Sequence, residues 1–152
     1  MSAEAVQVVE RIQDVLDVED IVATFDDAEA DLRIRQALAE LANPDFEVVM
    51  VGPDYLPQTL ELSGPDGFRE AWRDWTSPFE SFRIEVERVI DAGERVVSLV
   101  HQVGKTKTGG VGIEASAAAV WTVRDGKLNR VEFHLDQEAA LRAAGLSSER
   151  PA

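Results

Sequence analysis

The sequence has 152 residues, 45% of them hydrophobic and 29% charged, with 29 acidic side chains against 15 basic ones for a formal charge of −14. That length and balance fit one folded domain, expected over residues 1–152 with 147–152 as a frayed tail, rather than a disordered chain. The negative field repels phosphate backbones and anionic lipid, which argues against nucleic acid and membrane as partners, and the lack of cysteine excludes disulfides and thiolate chemistry.

Val9, Ile12 and Leu16 recur at helical spacing, so an amphipathic helix is expected from Ala3 to about Val18. This stretch carries acidic residues where a signal peptide would be basic, and no apolar run approaches a membrane span, so the expected compartment is the cytoplasm. Asp20 to Phe25 reads as a further turn or two of helix. Asp26-Asp27 offers a cap for a third helix through Leu41, with Asn43-Pro44 as its stop. Phe46 to Val51 is a short strand, Gly52 to Pro57 a loop rich in breakers, and Thr59 to Leu62 a strand that would pair back. Ser63-Gly64-Pro65 then starts a helix on which Phe68, Ala71, Trp72 and Trp75 fall at i, i+3, i+4 and i+7, ending at Ser77-Pro78.

The remainder reads as a β-meander. Phe82, Ile84 and Val86 alternate with charged residues, Asp91 to Glu94 makes a turn, and a strand from about Arg95 to Lys105 follows. Thr108-Gly109-Gly110 turns into a long hairpin from Val111 to Asp136, whose own turn is Arg124-Asp125-Gly126. Along the hairpin the apolar row is Ile113, Ala115, Ala117, Ala119, Trp121 and Val123, answered after the turn by Val131, Phe133 and Leu135; alanines beside a single indole leave room, so this face is expected to wall a pocket. Arg130, Glu132, His134 and Asp136 form the opposite, wet row. Asp136 caps a closing helix through Ala144, with Gly145 in the left-handed position that ends it. Helices followed by antiparallel strands predict an α+β fold: a strongly curved, antiparallel or mixed sheet with the N-terminal and middle helices on its concave face and a short C-terminal helix.

The order of elements and several local strings resemble the nuclear transport factor 2-like superfamily and, within it, SnoaL-like polyketide cyclases and ketosteroid isomerases. The strings are Gly67-Phe68-Arg69-Glu70-Ala71-Trp72, Ile90 to Val97, Val120 to Lys127 and Glu132-Phe133-His134-Leu135-Asp136, and the likeness runs from about Asn43 to Leu146. It implies a cone-shaped domain and a homodimer formed through the outer face of the sheet. The fold hosts unrelated functions, so activity has to be argued from residues. The isomerases use two pocket carboxylates, and the matching positions here are Ala119 and Val49, both inert.

Among titratable residues His101 stands out. It shares an otherwise apolar row with Val97, Leu99 and Val103, so it is expected on the inner face beside Trp121 and Phe133, where it would act as a general base, although a core histidine bonded to a neighbour gives the same pattern. The expected pocket is Trp72, Leu99, His101, Val103, Ala119, Trp121, Val131, Phe133 and Leu135, with Tyr55 at its entrance. No cofactor and no metal site is expected, since the two histidines are read onto opposite strand faces and there is no cysteine. The function that follows is binding of a small, mostly apolar organic molecule, with isomerase- or cyclase-type proton transfer through His101. The alternative is a non-catalytic ligand carrier or a dimeric interaction module with a filled pocket.

Overall fold

The computed structural model describes residues 2–16, 20–51 and 59–146. Three helices come first: α1 (Ser2–Leu16), α2 (Ile21–Asp26) and α3 (Ala28–Leu41). Asp20 and Asp27 start the second and third by accepting from the backbone N–H of Val22 and Glu29, the side-chain cap that short acidic residues provide. Strands β1 (Ala42–Val51) and β2 (Thr59–Ser63) follow, then α4 (Gly64–Thr76), the long strands β3 (Phe79–Ala92), β4 (Arg95–Thr106), β5 (Gly112–Arg124) and β6 (Lys127–His134), and finally α5 (Gln137–Ala143). Asn43-Pro44 lies past the end of α3, as expected, and already belongs to β1, which starts earlier than the expected Phe46.

The strands form one six-stranded sheet in the order β2-β1-β6-β5-β4-β3, in which β1 and β6 run parallel and every other neighbour is antiparallel. Register shifts at Val86/Arg88 in β3 and at Thr122/Val123 in β5 add local twist, and the sheet curves without closing. At the tip of the central hairpin Asp125 and Gly126 have φ of 53° and 74°, the left-handed pair that a two-residue turn requires. The fold is the expected α+β cone.

The concave face carries the main core. From α1 come Val9, Ile12 and Leu16, from α3 Ile34 and Leu38, and from α4 Phe68, Ala71 and Trp72, all packed against Phe46, Val48, Trp121 and Val131 of the sheet. Each large side chain buried there is worth about 1.5–3 kcal/mol, which fixes α4 across the mouth of the curve. The convex face has a smaller core of its own, where α5 lays Ala140 and Ala144 over Val97, Ala118 and Val120. Its C-terminus closes with the Leu146 N–H donating to the Leu141 carbonyl at 2.7 Å, and Gly145 at φ 82° makes that return possible.

Candidate functional site

The hollow of the cone lies between α4 and the inner rows of β4, β5 and β6. Its volume is about 40 Å³, space for a few water molecules and well below the roughly 300 Å³ at which drug-sized ligands are usually held. Leu16 closes one side, Met50 the floor, Trp72 and Trp75 the helical side, and Ser98, Val100, Gln102, Ala117, Ala119, Trp121 and Phe133 the sheet. The alanines of β5 face Phe133, which is the centre of an aromatic cluster: Trp72 meets it edge-on at 5.4 Å, Trp121 at 6.3 Å and Trp75 at 6.4 Å between ring centroids. Edge and tilted contacts of this kind hold rings in place with about 0.5–1.5 kcal/mol each.

Polar groups in this wall are few and mostly satisfied by one another. Trp121 Nε1 donates to Ser98 Oγ at 2.6 Å, and Trp75 Nε1 donates to Gln102 Oε1 at 2.6 Å. Trp72 Nε1 is buried and has no partner among the described residues. None of the described residues lining the hollow is titratable. Trp75 and Gln102 also border a second, shallower apolar depression of about 210 Å³, formed with Phe79, Phe82, Gly104, Ile113 and Leu135. Gly104 belongs there because a Cβ would stand 2.6 Å from the Phe79 ring.

Several expected site residues fall elsewhere. Strand β4 presents its other row inward: Ser98 pairs with Ala119, Val100 with Ala117 and Val96 with Trp121, which turns Leu99, His101 and Val103 to the convex side. His101 therefore does not meet Trp121 or Phe133; its Nε2 bonds Glu114 Oε1 at 2.9 Å, and that carboxylate is 70% exposed. The physical reason is that both faces of β4 are covered, the outer one in part by α5, so the outer row had to be apolar as well. Val131 is on the inner face but sits in the solid core below the hollow, and Leu135 borders the second depression at 45% exposure. Val49, the weaker match to an isomerase carboxylate, points outward opposite Glu132, and Met50 is the residue β1 contributes. Tyr55 lies outside the described residues. Trp72, Ala119, Trp121 and Phe133 do come together around the hollow. The residues missed were Ser98, Gln102 and Trp75, and the available signal was that buried indoles need acceptors, which a Ser and a Gln four apart on one strand row supply.

The wet row of β6 is on the convex face as expected, but it is not solvated throughout. Arg130 donates to Glu47 at 2.7 Å and to Glu132 at 2.9 Å, and His134 Nε2 donates to Glu132 at 3.0 Å while its ring is only 5% exposed. The hydrogen bond from His134, helped by that from Arg130 and opposed by burial, lowers the Glu132 carboxyl from 4.5 to about 2. Among the described residues no group of three His, Asp or Glu is placed to hold a metal ion, and no helix is long and apolar enough to cross a membrane.

Comparison with known proteins agrees with this architecture. A family model described as a SnoaL-like domain matches residues 18–131. No curated protein matches the chain. Among solved structures, a putative SnoaL-like polyketide cyclase from Jannaschia superposes with a TM-score of 0.63 at 17% identity, over 96% of this chain and 94% of that one. An NTF2-like protein of unknown function from Burkholderia pseudomallei gives 0.61 at 19% identity, over 91% and 95%. At such identities the likeness is one of fold. A third structure, of TerC co-crystallised with polyporic acid, is 25% identical with a TM-score of 0.54, over 82% of this chain and 95% of that one.

Proposed function

The chain belongs to the SnoaL-like domain family, and from that premise we propose that it binds a small, mostly apolar organic molecule in the hollow of the cone, without acid–base chemistry of its own there. One observation carries the reading: three indoles and Phe133 converge on a single apolar space whose described lining holds no ionisable group. Burial against those rings would supply the affinity, at about 25 cal/mol per Å² of apolar surface removed from water. The binding of a small molecule by TerC in its crystal supports a ligand role for the fold. Proton transfer by His101 is not part of this proposal, because its imidazole is on the opposite side of the sheet from the hollow.

The same reading includes a homodimer through the convex face. Helix α5 covers Val97 and Val120, with Leu99 packed at its edge, but leaves the stretch around His101, Val103 and Ser116 for a second copy. The narrowness of the hollow favours a second reading, in which the rings simply fill the cone and the protein acts through its surface. Titration with ethylbenzene, followed on the indole N–H resonances, separates the two. Saturable shifts in the wild type that disappear in Ala119→Leu, where the added atoms occupy the space opposite Phe133, are expected. Wild-type protein that shows no shift would leave the filled-core reading in its place.

A further inference from the structure

The three indole N–H groups of the cone are not equivalent. Those of Trp75 and Trp121 are already committed to Gln102 Oε1 and Ser98 Oγ, each at 2.6 Å. Trp72 lines the same hollow, is 6% exposed, and its Nε1 has no acceptor among the described residues. An indole nitrogen donates and never accepts, and a buried donor left unmade is costly, so such a group in a native core calls for an explanation. The rings packed on it offer no side-chain acceptor: Phe25 stacks on Trp72 at 6.5 Å, while Phe68 and Phe133 approach it edge-on.

We propose that Trp72 Nε1 is the hydrogen-bond donor of the site, and that the molecule bound there is a neutral aromatic compound carrying an oxygen acceptor such as a ketone, aldehyde or ether. The inference rests on the pocket reading above and narrows it. Neutrality follows from the wall: a charged ligand would be stripped of water among side chains that offer it no counter-charge. Aromaticity follows from the edge-on and tilted rings around Phe133, which favour a flat partner. The single acceptor follows from there being one uncommitted indole. At about 40 Å³ the hollow is narrower than a ring, so the probes are kept to one ring and binding requires the surrounding side chains to move apart.

The test compares acetophenone with ethylbenzene, which share a ring and a two-carbon substituent and differ in the carbonyl. In the wild type the Trp72 indole proton should move downfield with acetophenone and stay close to its free position with ethylbenzene. The ratio of the two affinities should change about tenfold against acetophenone in Trp72→Phe, which keeps an aromatic ring and removes the donor. His101→Ala should leave that ratio unchanged, since that side chain is on the opposite face of the sheet from the hollow. An unaltered ratio in Trp72→Phe, or a wild-type Trp72 resonance indifferent to the carbonyl while both probes bind, overturns the donor assignment and leaves the pocket standing. Failure of the wild type to bind either probe overturns both. The wild-type resonance decides the matter even where the variant does not fold.

Discussion

Trp75 and Gln102 stand on either side of the cone's mouth, one from α4 and one from β4, joined by a hydrogen bond of 2.6 Å, and both side chains line the inner hollow and the outer depression at once. The pair is thus the partition between two apolar spaces, held shut by a polar contact. Gln102→Leu keeps most of the volume and removes the acceptor. It is expected to cost about 1–3 kcal/mol in urea unfolding, because the indole N–H is left without a partner, and to speed hydrogen exchange at Trp75. A loss below about 0.5 kcal/mol would mean that water replaces Gln102 freely.

Ser98 does for Trp121 what Gln102 does for Trp75, but in full burial, at 1% and 2% exposure respectively. Ser98→Ala is therefore expected to destabilise by about 1–3 kcal/mol. Trp121→Phe on the same background should add less than it does alone, since the orphaned donor leaves with the indole. A double-mutant cycle showing strict additivity would contradict that coupling.

Acid stability should carry the signature of Glu132. Its folded value, about 2, lies below the unfolded 4.5, so the carboxylate stabilises the native state above the unfolded value, and the contribution is lost as pH falls through the folded one. Chemical unfolding between pH 6 and pH 2 (~4 units, wide enough to span both values) is expected to show stability falling with acid, and Glu132→Gln should flatten that slope while lowering stability at neutral pH. An identical slope in the variant would place the acid lability in other carboxylates.

The convex face gives a prediction about assembly. Val103 and His101 lie there, half-buried in one copy. Native mass spectrometry is expected to report a dimer for the wild type and a monomer for Val103→Asp, which sets an unpaired charge into the seam. Ethylbenzene binding should survive in both Val103→Asp and His101→Ala, because neither side chain reaches the hollow. Loss of binding in His101→Ala would restore that imidazole to the site.

Much of the fold was legible because local chemistry was unambiguous. Asp125-Gly126 between alternating runs fixed the hairpin, the stripe through Phe68, Ala71, Trp72 and Trp75 fixed α4, and the acidic caps at Asp27 and Asp136 fixed two helix starts. The site was legible only where one face of a strand was plainly apolar, as on β5 with Ala117, Ala119 and Trp121. On β4 the rule that the greasier row points inward failed. Val97 was needed outside to seat α5, and Ser98 and Gln102 were needed inside to accept from indoles, so polarity and burial exchanged places. His134 misled for a related reason: a row of charged residues read as wet is partly dry, since Arg130 and Glu132 satisfy one another there and the histidine beside them is covered.

Strand β6 is inserted between β1 and β5, and its parallel pairing with β1 joins residues more than eighty positions apart, Val48 with Val131 among them. The centre of the sheet is consequently the last part of it to leave the ribosome. Until then β1 has only β2 beside it, a two-stranded ribbon that does not hold in water by itself, and the tryptophans of α4 meet β4 and β5 without Phe133, the ring at the centre of their cluster. The pairing that completes the sheet therefore spans a long loop of chain, and contacts of such sequence separation slow folding and lengthen the time during which apolar side chains stay uncovered.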